Sequence, residues 1–417
     1  MKIALVMPRS TFIELPMVFQ PLGLFYLAAR LESLGHETEF FDLNVDPDPP
    51  DEFDQIWVSA TSPQMQEIKR IGKLPYKAKK VLGGASVWAN PDSCKNLGYD
   101  LIVGGESDSP QNITTILDSV NEWNIGKDIL LPISKTLDWV LPPVRRWSRK
   151  YTSQLRNLNG EKVDCTTMFT SRGCPLECAF CESGRHGVIW DRLTRYEPME
   201  IVEHQIKEAR SLGYSALAYY DDILPLNKKR TYKIMELHRK YEMIWRCFMR
   251  SDIINNHGGF DYLKEMRDGG LVEIFVGVES ASNEIKNNIT KKTTIEQDTN
   301  IVEWCRELGI RCKTSFILGL PGESMESMQA TRKWILEHRP DRVQVGRLIP
   351  FTGTPLTKNP QNYDLNYERQ VDDEWFYAGR HDRDTHSFVS TSHLTSEQID
   401  EFWRNLMKEL ELEGIPT

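Results

Sequence analysis

The chain has 417 residues, a length that predicts two to three domains at about 150 residues each. Lys and Arg number 51 and Asp and Glu number 60, so the formal charge is −9, which argues against general affinity for nucleic acid or anionic lipid. No apolar run approaches the roughly 18 residues that cross a bilayer, and the apolar start Ile3–Met7 is too short for a signal-peptide core. We therefore expect a cytoplasmic protein without a membrane partner.

The amino-terminal part alternates short β-rich runs with amphipathic segments. A helix is predicted over Pro21–Ser33, because Leu24, Leu27, Ala28 and Leu31 lie on one face. The predicted strands are Ile3–Met7, Glu37–Phe41, Gln55–Ser59, Lys79–Leu82 and Asp100–Val103. Short apolar strands separated by helices predict an α/β domain over residues 1–125, with a doubly wound, Rossmann-like parallel sheet covered on both faces.

Ligands of doubly wound sheets bind at the carboxyl ends of the strands. The candidate binding residues at those ends are Ser59, Thr61, Gly83, Gly84, Gly105 and Glu106. A glycine after a strand is most often only a tight turn, so the glycine pairs do not establish a site alone. Beyond this domain, prolines and a basic stretch predict a linker over residues 126–163.

A second series of strands and helices follows. The predicted strands are Thr166–Thr170, Ser215–Tyr220, Ile244–Met249, Val272–Val278, Cys312–Leu318 and Arg342–Leu348. The predicted helices between them are Met199–Leu212, Lys229–Tyr241, Phe260–Arg267, Ile295–Leu308 and Ser324–Glu337. This repeat predicts a partial (β/α)6 barrel, similar to a TIM barrel, over residues 164–355, with its chemistry at the carboxyl ends of the strands. The acidic remainder, 356–417, is interpreted as a small carboxyl-terminal cap with a closing helix at Ser396–Leu412.

Three of the eight cysteines cluster just after the first strand of this repeat. Their spacing is Cys174-x3-Cys178-x2-Cys181. Three thiolates on one short loop can ligate three irons of a 4Fe-4S cluster and leave the fourth iron open. The alternative is a structural zinc site that takes His186 as its fourth ligand.

This loop, at this place in the repeat, resembles that of the radical S-adenosylmethionine (radical SAM) superfamily. The resemblance implies that the open iron binds the methionine half of SAM. It also assigns SAM-binding positions to the later strand ends, namely Tyr220, Asp221, Asp222, Arg250, Ser251, Glu279, Ile317 and Gly319. Asp221 or Asp222 would accept a hydrogen bond from the SAM ammonium, and Glu279 could bind vicinal hydroxyls. Singly, each of these residues could instead cap a helix or form a turn.

Residues 1 to about 120 resemble the cobalamin-binding domain that precedes the radical SAM core in one branch of the superfamily. The matching segments are 21–31, 35–36, Asp42, 83–84 and 104–106. The resemblance places the nucleotide tail of cobalamin against 59–62, Gly83 and Gly84. The Asp-x-His-x-x-Gly motif whose imidazole ligates cobalt is absent, and His36 is the only histidine of the first 180 residues. We favour cobalamin held without a protein histidine. A domain that has lost its cofactor would also lack this histidine motif.

The resemblance is to cobalamin-dependent class B radical SAM methyltransferases. It implies methylation of an unactivated carbon through a 5′-deoxyadenosyl radical and methylcobalamin, on a small-molecule or peptide substrate. It also implies an electron donor such as flavodoxin or ferredoxin. A radical SAM enzyme with another outcome, such as cyclisation, rearrangement or oxidation, is the first alternative. A non-catalytic corrinoid- or metal-binding protein is the second. Nucleic acid is not an expected partner, since the tail is acidic.

Overall fold

The computed structural model describes residues 1–10, 15–61, 64–85, 87, 91–121, 127–182, 193–368 and 386–417. These residues form two compact units. The first contains the described parts of Met1–Ser153 and Arg195–Gln205, and the second those of Gln154–Thr194, Ile206–Val371 and His386–Thr417.

The first unit contains a six-stranded sheet with the strand order β2-β1-β3-β4-β5-β6. Every strand pair is parallel, which confirms the doubly wound prediction. The strands are β1 (Lys2–Met7), β2 (Glu37–Asp42), β3 (Gln55–Ser59), β4 (Lys79–Gly83), β5 (Leu101–Gly104) and β6 (Lys127–Leu130). The helices are α1 (Leu22–Ser33), α2 (Met65–Gly72) and α3 (Pro110–Asn121). Helices cover both faces of a parallel sheet, and Ile3 to Val6 of β1 are accordingly fully buried.

The unit extends past residue 125, the predicted end of the domain, to Ser153. Strand β6 pairs with β5 and becomes the edge of the sheet. Strand β6 lies within the predicted linker, 126–163, because a four-residue edge strand carries too little periodicity to be recognised from sequence.

The second unit contains a seven-stranded open sheet with the order β15-β14-β13-β12-β11-β8-β7. All neighbours are parallel except the edge strand β7, which runs antiparallel to β8. The strands are β7 (Gln154–Arg156), β8 (Lys162–Met168), β11 (Ala216–Tyr219), β12 (Ile244–Met249), β13 (Leu271–Glu279), β14 (Arg311–Leu318) and β15 (Arg342–Arg347). The six parallel strands are those predicted, within a few residues at each end. Because β15 and β7 are both edges, the barrel is partial, as predicted.

Short elements and helices complete the chain. The short strands are β9 (Ser171–Arg172), β10 (Arg195–Tyr196), β16 (Asn366–Tyr367) and β17 (Val389–Ser390). The helices are α4 (Met199–Ser211), α5 (Lys228–Tyr241), α6 (Ser251–His257), α7 (Gly259–Asp268), α8 (Asn283–Asn288), α9 (Ile295–Leu308), α10 (Met325–His338), α11 (Pro355–Lys358) and α12 (Ser396–Leu412). The short helices α6 and α8 were not predicted.

Helix α12 begins and ends where the sequence predicts, and it lies beside the edge strand β15. The indole of Trp403 on this helix donates to the carbonyl of Val345 over 2.8 Å. The N–H of Val343 donates to the carbonyl of Pro416, also over 2.8 Å. The carboxyl-terminal segment therefore covers backbone groups that an edge strand would otherwise expose.

No helix among the described residues combines the length and apolar composition that crossing a membrane requires.

Candidate active site

The three clustered cysteines lie on one loop of the second unit. Cys174, Cys178 and Cys181 are all half-buried and outside regular secondary structure. The N–H of Cys181 donates to the carbonyl of Cys178, and the N–H of Ala179 donates to the carbonyl of Ile289 over 2.9 Å. Backbone hydrogen bonds therefore hold the loop against the segment that follows helix α8.

Three thiols on one short loop are a donor set that suits an iron-sulfur cluster. No three His, Cys, Asp or Glu side chains in the described ranges are grouped to hold one metal ion. Thiolates that ligate three different irons of a cluster need not converge on one point. Burial raises the pKa of the Cys174 thiol to about 11, so metal binding there must displace a proton. His186, the fourth ligand of the zinc alternative, lies outside the described residues.

Asp221 fixes the start of the cysteine loop. Its carboxylate accepts hydrogen bonds from the N–H of Thr170 at 3.0 and 3.1 Å, from Oγ1 of Thr170 at 2.7 Å and from Oγ of Ser171 at 2.5 Å. Burial raises the pKa of Asp221, and these donors oppose the shift. The next residue, Asp222, is half-buried and close enough to Cys174 to raise the pKa of that thiol. Tyr220 is also half-buried, and its hydroxyl accepts from Arg246 over 2.9 Å.

Arg250 follows strand β12 and lies beside the cysteine loop. Its Nη1 is 3.4 Å from Sγ of Cys178. Its Nε and Nη2 donate to the two carboxylate oxygens of Asp252 at 3.0 and 3.1 Å, and Nη2 also donates to the carbonyl of Lys291 over 2.5 Å. The guanidinium thus connects a cysteine, an acidic residue and the loop after α8.

Ser251, the neighbouring predicted SAM residue, is fully buried. Its hydroxyl donates to Oδ1 of Asp298 over 2.6 Å, and Oδ2 of that residue pairs with the buried ammonium of Lys286. Ser251 therefore joins α6 to α9 in the fold, whereas its expected role toward SAM stays a prediction.

Glu279 ends strand β13 in an uncommon conformation. The strand pairing shifts between Gly277 and Glu279, and Glu279 has a φ of +67°. A bulge of this kind re-aims a side chain at the end of a strand. The carboxylate accepts from Nζ of Lys291 at 2.8 Å and lies 3.4 Å from Oγ of Ser315. Burial lowers the pKa of Lys291, but the negative charges of Glu279 and of the Cys178 sulfur outweigh burial, so the pKa is raised.

The end of strand β14 carries the last two predicted SAM residues. Ile317 is half-buried, and Gly319 has a φ of +82°. The N–H groups of Gly319 and Leu320 donate to Oε2 of Glu323 at 2.5 and 3.3 Å. Burial raises the pKa of Glu323 to about 8, and its Oε1 has no hydrogen-bond partner in the described structure.

In the first unit, four of the predicted binding residues lie at the carboxyl edge of the sheet. Thr61 is exposed, and Ser59, Gly83 and Gly84 are half-buried. A Cβ on Gly83 would meet nothing closer than 3.5 Å, whereas one on Gly84, with φ +100°, would lie 2.5 Å from the carbonyl oxygen of Ala60. Small, hydroxyl-bearing and accessible residues suit the edge-on approach of a nucleotide, but Gly84 is also required by the packing of its own sheet.

Glu106 is poorly placed to bind a nucleotide. Its carboxylate accepts from Nη1 of Arg195 at 2.7 and 2.9 Å and from the N–H of Ser134 at 3.2 Å. The Glu106 and Arg195 side chains are 3% and 2% exposed. Its neighbour Gly105 has a φ of +114°, and a Cβ there would lie 2.5 Å from the carbonyl oxygen of Leu131. The packing of the unit therefore accounts for both residues, and their expected contact with a cofactor stays a prediction.

His36 lies between α1 and β2, at the amino end of that strand. Ser59 and Gly83 end their strands, so they are at the opposite edge of the parallel sheet.

The loop at 289–293 contacts the cysteine loop, although the sequence does not predict it as part of the site. Thr290 and Lys292 have φ values of +56° and +59°, and Lys291 between them pairs with Glu279. The carbonyls of Ile289 and Lys291 accept from Ala179 and Arg250. The only signal was a pair of lysines before a helix, which usually indicates an exposed surface.

Comparison with known proteins identifies the fold of the second unit. Residues 168–335 match the model of the Radical SAM superfamily. Across 97% of its length the chain is 26% identical to a protein of Pyrococcus horikoshii named an uncharacterized methyltransferase, covering 91% of that protein. It is also 25% identical to the anaerobic magnesium-protoporphyrin IX monomethyl ester cyclase of Rubrivivax gelatinosus, over 45% of this chain and 33% of that one.

Among solved structures, the chain is similar to the radical S-adenosylmethionine methyltransferase TsrM from Kitasatospora setae, with cobalamin and a [4Fe-4S] cluster bound. The TM-score is 0.66 at 17% identity, and the similarity covers 88% of this chain and 81% of TsrM. At this identity the similarity supports the fold alone. The family match by itself identifies residues 168–335, which include the predicted cysteine loop, as similar to the Radical SAM superfamily.

Proposed function

We propose that the protein is a cobalamin-dependent radical SAM methyltransferase that methylates an unactivated carbon. The observation that carries the proposal is the loop of three half-buried cysteines, which is held between Asp221 and the 289–293 loop. The near full-length relative named a methyltransferase favours this outcome. The similarity to the cyclase covers 45% of this chain, so cyclisation is the alternative that the experiment must separate.

In this proposal Cys174, Cys178 and Cys181 hold the 4Fe-4S cluster. Asp222 is the better candidate for the SAM ammonium, because Asp221 is buried and already accepts hydrogen bonds from three donors. When bound, the cluster and SAM supply hydrogen-atom abstraction and the corrinoid supplies the methyl group. The chain positions these groups and excludes water from them.

The first unit would take the nucleotide tail of cobalamin at Ser59, Thr61 and Gly83. The proposal assigns no protein histidine to cobalt.

The test begins with protein purified anaerobically from cobalamin-supplied cells. Iron, sulfide and extracted corrinoid are measured, and the protein is then reduced with SAM carrying a deuterated methyl group. The proposal is supported by about one corrinoid and four irons per chain. It also requires release of 5′-deoxyadenosine and a deuterated product in extracts of the source cells. Cluster and 5′-deoxyadenosine without corrinoid would indicate a non-methylating radical SAM enzyme. Zinc, or corrinoid without SAM cleavage, would indicate a binding protein.

Single Cys→Ala substitutions at 174, 178 and 181 should each abolish the cluster. Cys165→Ala is the matched control, because Cys165 is buried in β8 outside the loop. Full iron content in any one of the three variants would contradict the assignment of that cysteine.

A further inference from the structure

The guanidinium of Arg250 is held in one orientation beside a cluster cysteine. Asp252 engages the Nε and Nη2 edge, which leaves Nη1 pointing away from that edge and toward Sγ of Cys178 at 3.4 Å. The side chain is only 7% exposed. A bidentate pair with a carboxylate fixes the plane of an arginine. The sulfur contact is therefore a defined feature of the site rather than one conformation of a mobile surface side chain.

The side chains on the Arg250 side of Cys178 are buried. Lys291 is 5% exposed, and its ammonium lies 6.0 Å from the centre of the Phe180 ring. The carbonyl of Lys291 accepts a hydrogen bond from Arg250, so the 289–293 loop fixes the guanidinium from the side of its Nη2. Electrostatic interactions between buried groups are stronger than those at the surface.

We propose that Arg250 sets the reduction potential of the cluster through an N–H···S bond to Cys178. Reduction adds one negative charge to the cluster, and a cationic donor on a ligating sulfur stabilises that charge. Arg250 therefore makes the cluster easier to reduce. The inference rests on the cluster of the proposed function and assigns Arg250 to the cluster instead of to SAM.

The first test is a potentiometric titration of the cluster without SAM, in which electron paramagnetic resonance measures the reduced fraction. Arg250→Gln removes the charge and should lower the reduced-to-oxidised ratio about tenfold at a fixed potential, a shift of about 59 mV to more negative values. Arg250→Lys keeps the charge but loses the planar donor. Its midpoint potential should shift in the same direction by a smaller amount.

Arg246→Gln is the matched control. It removes the same charge from strand β12, four residues or about 13 Å before Arg250, and Arg246 bonds to Tyr220 instead of to a cysteine. Its midpoint should equal that of the wild type. An Arg250→Gln midpoint equal to that of the wild type, at full cluster content, would overturn the proposal, as would an equal shift in Arg246→Gln.

The second test needs no variant that might fail to assemble. Wild-type protein labelled with 15N-arginine should show 15N hyperfine coupling to the reduced cluster in pulsed paramagnetic resonance. A cluster without this coupling would refute the role of Arg250 alone. Wild-type protein without any cluster would refute the proposed function itself, so the two failures are distinguishable.

Discussion

Nζ of Lys291 lies 2.8 Å from Oε1 of Glu279, and the two side chains are only 6% and 7% exposed. This pair closes directly over Gly277, which has no side chain to obstruct it. A Cβ at Gly277 would lie 2.1 Å from Oε1 of Glu279 and 2.9 Å from Nζ of Lys291. The glycine, the bulge and the left-handed Glu279 thus form one arrangement at the end of β13.

Gly277→Ala should therefore destabilise the protein, by about 1 to 3 kcal/mol, the usual cost of overpacking. The measurement is the free energy of unfolding from urea denaturation. Gly346→Ala is the control in β15, since a Cβ there would meet nothing closer than 3.9 Å. Equal losses in the two variants would show that the pair does not depend on the space above Gly277.

Lys291→Met should lower the free energy of unfolding by more than Gly277→Ala does, about 3 to 5 kcal/mol, because it leaves the buried carboxylate of Glu279 without its cation. Lys333→Met removes a lysine from an exposed pair with Glu337, where the two side chains are 72% and 56% exposed. That control should change the free energy of unfolding by less than about 1 kcal/mol. A loss at Lys291 as small as the control's would mean that water reaches Glu279.

Glu323 should make stability depend on pH. Its pKa rises from an ordinary 4.5 to about 8, so between these values the folded protein retains a proton that the unfolded chain has lost. Its contribution to stability therefore falls as pH rises from about 4.5 to about 8. Glu323→Gln mimics the protonated group, so its stability relative to wild type should increase from pH 5 to pH 8.

Urea denaturation at pH 5, 6.5 and 8 measures this difference. The exposed Glu326 in the following helix supplies the control Glu326→Gln, whose difference from wild type should not change over this interval. A flat difference for Glu323→Gln would indicate that the carboxylate is ionised in the folded protein.

The repeated strands and helices could be predicted from sequence because each buried strand is a short apolar run and each helix has a periodic face. The contacts of the site could not. Asp221 and Asp222 are adjacent in sequence, yet only the structure separates a buried residue that binds Thr170 from a half-buried one near Cys174. The partners of Arg250 come from segments 72 and 41 residues away, and local patterns carry no information on such separations.

The ion pair of Glu106 and Arg195 allows a last prediction, which separates packing from cofactor binding. Glu106→Gln leaves the buried guanidinium without its carboxylate and should cost about 3 to 5 kcal/mol of stability. Asp48→Asn breaks a pair with Arg70 in the same unit, where the side chains are 37% and 39% exposed, and should cost less than about 1 kcal/mol. If the protein binds cobalamin as proposed and Glu106 acts only in packing, folded Glu106→Gln protein has the corrinoid content of the wild type at low temperature. Loss of corrinoid from protein that remains folded by circular dichroism would instead mean that Glu106 contacts the cofactor, because the stability cost alone does not remove a ligand from a folded domain.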